Sequence, residues 1–158
     1  MAETLVLKEP PVAIAEMLIR RPAAEVYEAF IDPAITTKFW FTGGSARLDS
    51  GQPIRWEWKM YGFSLPVTVR ELVKDRTIDL DWAEPATRVV WTFTEMEQGT
   101  FVSIRNSGFS GDADEAVKTA IDSAGGFSFV LAGCKAWLEH GVELGLVRDR
   151  HPGGLSSR

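Results

Sequence analysis

The sequence predicts an α+β domain in which a long C-terminal helix packs across an antiparallel sheet. Two observations lead there. Between positions 54 and 105, short runs of alternating apolar and polar residues are separated by turn-forming residues, the pattern of a strand meander with one buried face. After it, Phe127, Val130, Leu131, Cys134, Trp137 and Leu138 recur at i, i+3, i+4 and i+7 spacing, as on one face of a helix. One-faced strands need cover on their apolar side, and this stripe is the one large amphipathic element left to give it.

The elements follow in order. Residues 12–20 form an apolar, β-permissive first segment that stops at Arg21-Pro22. Pro22 suits the first position of a helix carrying Ala23, Val26, Tyr27 and Phe30. Asp32 can cap and Pro33 can open a second short helix, with Ile35, Phe39 and Trp40 as its apolar side. Gly43-Gly44 reads as a turn. Ile54, Trp56, Trp58 and Met60 then alternate with Arg55, Glu57 and Lys59, and Tyr61-Gly62 turns the chain toward Leu65, Val67 and Val69. Ile78, Leu80 and Trp82 share a face, with Asp79 and Asp81 on the opposite, solvated one. Val89, Trp91 and Phe93, then Val102 and Ile104, complete the meander. Asp112 or Asp114 can cap a helix bearing Val117, Ala120, Ile121 and Ala124. Gly125-Gly126 should break or kink it, because each glycine costs about 1 kcal/mol against alanine in a helix interior. Gly141 should end the helix, with His140 in its last turn. The expected organisation is an N-terminal extension over 1–11, one domain over 12–147 and a tail over 148–158, frayed from Pro152 onward.

Composition narrows the partners. The chain is 45% hydrophobic and 25% charged, which argues against disorder. A net charge of −5 with no Lys/Arg block makes a nucleic-acid backbone or an anionic membrane a poor partner. The residues up to Val12 lack the apolar core of a signal peptide, and no apolar run reaches the roughly 20 residues that span a bilayer. Cys134 is the one cysteine. An intrachain disulfide is therefore excluded, which suits a reducing compartment. A cytoplasmic location is expected.

Three stretches carry a family resemblance. The first is Ile19-Arg20-Arg21-Pro22-Ala23-Ala24-Glu25-Val26-Tyr27-Glu28-Ala29-Phe30, followed by Asp32-Pro33 and Phe39-Trp40. The second is the meander with Trp56-Glu57-Trp58. The third is Gly125-Gly126-Phe127 leading to Leu131-Ala132-Gly133-Cys134-Lys135-Ala136-Trp137-Leu138-Glu139-His140-Gly141. Together, over residues 12–146, they resemble the helix-grip fold of the START and birch-pollen-allergen (SRPBCC) superfamily. The branch they resemble is the one homologous to the activator of the heat-shock-protein-ninety ATPase. The resemblance implies a curved antiparallel sheet wrapped around the long C-terminal helix, two short helices after the first strand, and a cavity between sheet and long helix for lipids, polyketides or other apolar molecules. It does not imply the content of that cavity.

The expected ligand-binding residues are Phe39, Trp40, Trp56, Trp58, Met60, Val67, Trp82, Trp91, Phe127, Val130, Leu131 and Cys134. Such pockets are mostly apolar and aromatic, and Trp40, Trp56 and Trp58 are the favoured wall residues among the six tryptophans. Trp137 is assigned to packing. Cys134 reads as a small buried hydrophobe. His140 lies six residues beyond it, about 240° around the helix, so the two form no nucleophile–base pair. The two histidines lack paired-ligand spacing, and one cysteine cannot build a zinc cluster. No metal, cofactor or catalytic residue is therefore expected. Arg105 and Asn106 end the last strand, and either could meet a polar head group. The readable inner stripes are apolar, which places a binding module for a small apolar molecule ahead of two alternatives: a polyketide cyclase/dehydratase-like enzyme, and a co-chaperone or stress-related adaptor. A homodimer is compatible with all three.

Overall fold

The computed structural model describes residues 3–153. The chain forms β1 (Ala13–Ile19), α1 (Ala23–Ile31), α2 (Pro33–Thr36), β2 (Gly43–Gly44), β3 (Ile54–Trp58), β4 (Phe63–Val73), β5 (Thr77–Trp82), β6 (Thr87–Met96), β7 (Gly99–Ser107), α3 (Ala113–His140) and α4 (Leu146–Arg150). The seven strands make one antiparallel sheet in the order β1-β7-β6-β5-β4-β3-β2. It curls around α3, the helix-grip arrangement that the sequence predicts. Chain neighbours pair throughout the meander, and β1 joins its far end by pairing with β7, Ala15 opposite Ile104.

The inner face follows from the alternation. Ile54, Trp56 and Trp58 of β3 are buried, as are Ile78 and Leu80 of β5, Val89, Trp91 and Phe93 of β6, and Val102 and Ile104 of β7. Phe127, Val130, Leu131 and Cys134 of α3 close over them. The core under α3 is continuous with Val26, Tyr27 and Phe30 of α1.

Five local expectations need correction. Gly125 and Gly126 neither break nor kink α3, which runs unbroken for 28 residues. Two interior glycines cost about 2 kcal/mol together, whereas burying Phe127, Val130 and Leu131 contributes about 1.5–3 kcal/mol each, so packing wins. The glycines also have a use: a Cβ on Gly126 would stand 2.8 Å from the Arg150 guanidinium. Gly43-Gly44 is the short strand β2, Gly44 opposite Trp56. A Cβ there would come within 2.7 Å of Pro33 Cβ, so glycine lets this edge pack on α2. Helix α2 ends at Thr36, short of Phe39 and Trp40. One further turn carries these two, their backbone N–H groups both donating to Thr36 O (3.1 and 3.0 Å). Met60 lies in a 3-10 turn, Lys59–Tyr61, rather than on β3. Asp79 is not solvated. It is 6% exposed and held by both arms of Arg88 (Nε–Oδ1 3.0 Å, Nη2–Oδ2 2.6 Å), while Asp81 pairs with Arg70. The face expected to be solvated thus carries two cross-strand ion pairs.

The ends of α3 behave as their sequences require. Asp112 Oδ1 accepts from Glu115 N (2.9 Å) at the start, and Gly141 takes the left-handed conformation that closes the helix. Near that end, Lys135 Nζ donates to Leu18 O (2.9 Å) and to Glu139 Oε2 (2.6 Å). The same carboxylate accepts from Arg20 N (2.9 Å). These bonds cover the backbone of edge strand β1 and tie it to the helix. Burial works against the Glu139 carboxylate, but the Arg20 N–H and Lys135 outweigh it and hold its pKa below the ordinary carboxylate value. A depressed folded-state pKa contributes stability above the unfolded value that is lost as pH falls through the folded one. Glu139→Gln should therefore lower unfolding free energy by about 1 kcal/mol at pH 7. The gap to the parent should close as pH falls through the range in which the folded-state carboxylate protonates, in urea titrations at each pH.

Candidate ligand pocket

Trp40 is the hub of the aromatic cluster. The turn after α2 projects it between sheet and α3, where its ring lies 4.9 Å from Trp56, 5.7 Å from Trp82, 6.0 Å from Trp91 and 5.6 Å from Phe127. On one side of this hub the space is filled. Phe41 stacks on Trp56 at 4.7 Å and 21°, and Phe30 meets Trp91 and Phe39. On the other side a partly open pocket of ≈ 440 Å³ remains. Its aromatic wall comprises Trp40, Trp58, Trp82, Phe63 and Phe127, with Leu65 and Val130 beside them.

Five of the twelve expected residues therefore face this space: Trp40, Trp58, Trp82, Phe127 and Val130. Phe39, Trp56, Val67, Trp91, Leu131 and Cys134 are buried in the packed core behind it, and half-buried Met60 packs from its turn. Burial pushes the Cys134 thiol pKa far up, in keeping with its reading as a small hydrophobe. Trp91 is 1% exposed, and its indole N–H has no acceptor among the described residues.

The opposite wall is built around Asn106, one of the two strand-end residues that the sequence offers for a polar head group without assigning either to the site. Asn106, the last inward residue of β7, is 2% exposed. Its Nδ2 donates to Thr87 Oγ1 and to Arg88 O, both at 2.9 Å, and its Oδ1 accepts from Ser123 Oγ at 2.7 Å. Thr87, Asn106 and Ser123 all line the pocket. The signal for Asn106 lay in the alternation: Thr100, Val102, Ile104 and Asn106 are all buried on one face, while Arg105 points out.

The mouth is framed by the chain after α3. The drawn boundary at 147 falls inside α4, whose Val147 and Arg150 line the pocket, as does the following His151. Tyr61 Oη donates to Val147 O, and burial raises the Tyr61 pKa, so the phenol stays protonated. Arg150 Nη2 reaches Asp122 O (3.2 Å) and Asp122 Oδ1 (3.1 Å), with its guanidinium over Phe129 at 5.6 Å. Two carboxylates, Asp122 and Glu84, thus share the lining with one guanidinium. Residues 154–158, the end of the expected tail, lie outside the described residues.

Among the described residues no three His, Cys, Asp or Glu side chains come together to hold a metal, and no helix is long and apolar enough to cross a membrane.

Solved structures share this architecture. The chain is similar to the protein SSP2350 from Staphylococcus saprophyticus (29% identity, TM-score 0.75), over 85% of this chain and 96% of that one. It is similar to Aha1 from Colwellia psychrerythraea, solved as a dimer (19% identity, TM-score 0.71), over 83% and 98%. It is also similar to DynU16, from the dynemicin biosynthetic locus (19% identity, TM-score 0.72), over 84% of this chain and 48% of that one. No curated protein matches the chain. The family model described as Activator of Hsp90 ATPase homolog 1-like protein matches residues 20–136. That span is well over half the sequence and takes in six of the seven strands, the aromatic hub and most of α3, so the chain belongs to that family.

Proposed function

We propose that the protein binds a small, largely apolar molecule between the aromatic wall and α3, and holds it without transforming it. The observation that carries this is the one-sided filling around Trp40. The same aromatic cluster is close-packed toward Trp56 and Trp91 but stops at an open space of ≈ 440 Å³ toward Trp58 and Trp82. That volume lies within the range of small-molecule pockets, and apolar walls with a few convergent polar groups are their usual composition. Among the charged side chains of the lining, Asp122 already pairs with Arg150, while most of the remaining lining is apolar or aromatic. This favours holding over proton transfer.

Three of the six tryptophans line the pocket, so an occupant should change the intrinsic emission. A panel of sterols, fatty acids and fused-ring aromatics, titrated against the protein, should include a saturable binder that displaces an environment-sensitive apolar dye. Leu65→Trp, which fills the pocket from β4, should weaken that binder by at least about tenfold with the melting temperature held. The reading is lost if nothing in the panel saturates, or if the filled variant binds as the parent does. A cytoplasmic address belongs to the same proposal and rests on the single, free, buried Cys134. A homodimer draws support from the dimeric Colwellia relative. Light scattering decides it: twice the 17.5 kDa chain mass establishes the pair, and the single mass removes it.

A further inference from the structure

The hydrogen-bond arithmetic of the Asn106 wall specifies the head group of the occupant. Arg88 O can only accept, so the Asn106 atom that bonds it must be the amide nitrogen (2.9 Å). That fixes the amide orientation, and with it two protons. Oδ1 faces Ser123, so the Ser123 hydroxyl must donate its hydrogen there (2.7 Å). Nδ2 faces Thr87, so Thr87 Oγ1 must accept (2.9 Å) and keeps its own hydrogen. A hydroxyl has one hydrogen and two lone pairs. Thr87 is left with a hydrogen to give, and Ser123 with lone pairs to receive. Neither is drawn off by its own element. Ser128 and Thr119 on the same helix donate back to the carbonyls of Ala124 and Glu115, whereas Ser123 turns outward to Asn106. Both hydroxyls line the pocket, so its polar wall offers a single hydrogen, that of Thr87, and lone pairs that no protein hydrogen meets, Ser123 able only to accept, held in place by a buried amide.

We infer that the pocket selects an apolar molecule whose head group both accepts and donates a hydrogen bond while carrying no charge: an alcohol, a phenol or a carboxamide. The inference rests on the binding reading above and specifies the ligand it takes. An ether satisfies Thr87 but leaves Ser123 unanswered. A carboxylate brings lone pairs against the Ser123 oxygen and adds a negative charge to a lining where two carboxylates already face one guanidinium.

Four probes on one skeleton test it: 2-naphthol, 2-naphthamide, 2-methoxynaphthalene and 2-naphthoate, by calorimetry and tryptophan emission. The naphthol and the amide should bind about tenfold tighter than the ether, the loss expected for one unmade hydrogen bond, with the naphthoate weakest. Thr87→Val should weaken naphthol and the ether alike, by up to about tenfold, because both accept from Thr87, and should leave the advantage of naphthol, which rests on Ser123, in place. Thr87→Ser, which keeps the hydroxyl, should bind both probes as the parent does. Melting curves establish that both variants fold, and the ranking of the four probes on the parent chain carries the test if the Val variant does not. Binding of all four within about twofold overturns the head-group inference and leaves the pocket reading intact. Tightest binding by naphthoate overturns it in favour of Arg150. Failure of all four to bind saturably overturns both.

Discussion

Trp56→Ala should cost about 3–5 kcal/mol of unfolding free energy, measured by urea denaturation, and should leave ligand affinity nearly unchanged. The magnitude comes from where the ring sits. Trp56 is 2% exposed, stacked on Phe41 and edge-on to Trp40 at 4.9 Å, so protein surrounds it and its removal opens a closed cavity. Trp58, two residues along the same strand, provides the contrast. It is also buried, but it faces the pocket, and open space already replaces part of the packing its ring would otherwise lose. Trp58→Ala should therefore cost less stability than Trp56→Ala and more affinity. The opposite ordering, with Trp56→Ala weakening the ligand while barely moving the denaturation midpoint, would place the site on the wrong side of Trp40.

How far the sequence reached depends on the range of the interaction. Period-two alternation is local, so β3 and the strands after it were legible from a few residues each, and the stripe from Phe127 to Leu138 identified the helix over the sheet. Which inward ring lines a space and which fills one is not local. Trp56 and Trp58 belong to the same alternating face, and only the positions of Phe41 on one side and Phe63 on the other, stacked at 4.7 and 5.2 Å, separate wall from core. Asn106 was within reach, because the buried series Thr100, Val102, Ile104 continues onto it. Its polarity at a strand end obscured the pattern. The part played by α4 was not legible. Five residues show no period, and the partner of Arg150 is Asp122, 28 positions earlier. The glycine pair misled for the same reason: its propensity is written in the sequence, while the Arg150 guanidinium it accommodates arrives only through the fold.

Ending the chain at Gly125 should abolish the folded state altogether. Phe127, Val130 and Leu131 each bury their side chains almost completely, a contribution of about 1.5–3 kcal/mol apiece, so about 5–9 kcal/mol leaves with the helix before the sheet's own loss is considered. A domain of this size holds about 5–15 kcal/mol in all. The sheet then loses its cover as well: Ile78, Leu80, Val89, Trp91, Val102 and Ile104, each at most 1% exposed, would line an open apolar face. Edge strand β1 would also lose the Lys135 and Glu139 bonds to its last turn and to Arg20. The truncated chain should be insoluble, or compact but without a cooperative melt, with dye binding by exposed apolar surface and loss of near-ultraviolet circular dichroism. A soluble fragment ending at Gly125 with a sharp, reversible melting transition would mean that the sheet holds its own core, and the helix-grip account of this chain's stability would have to be abandoned.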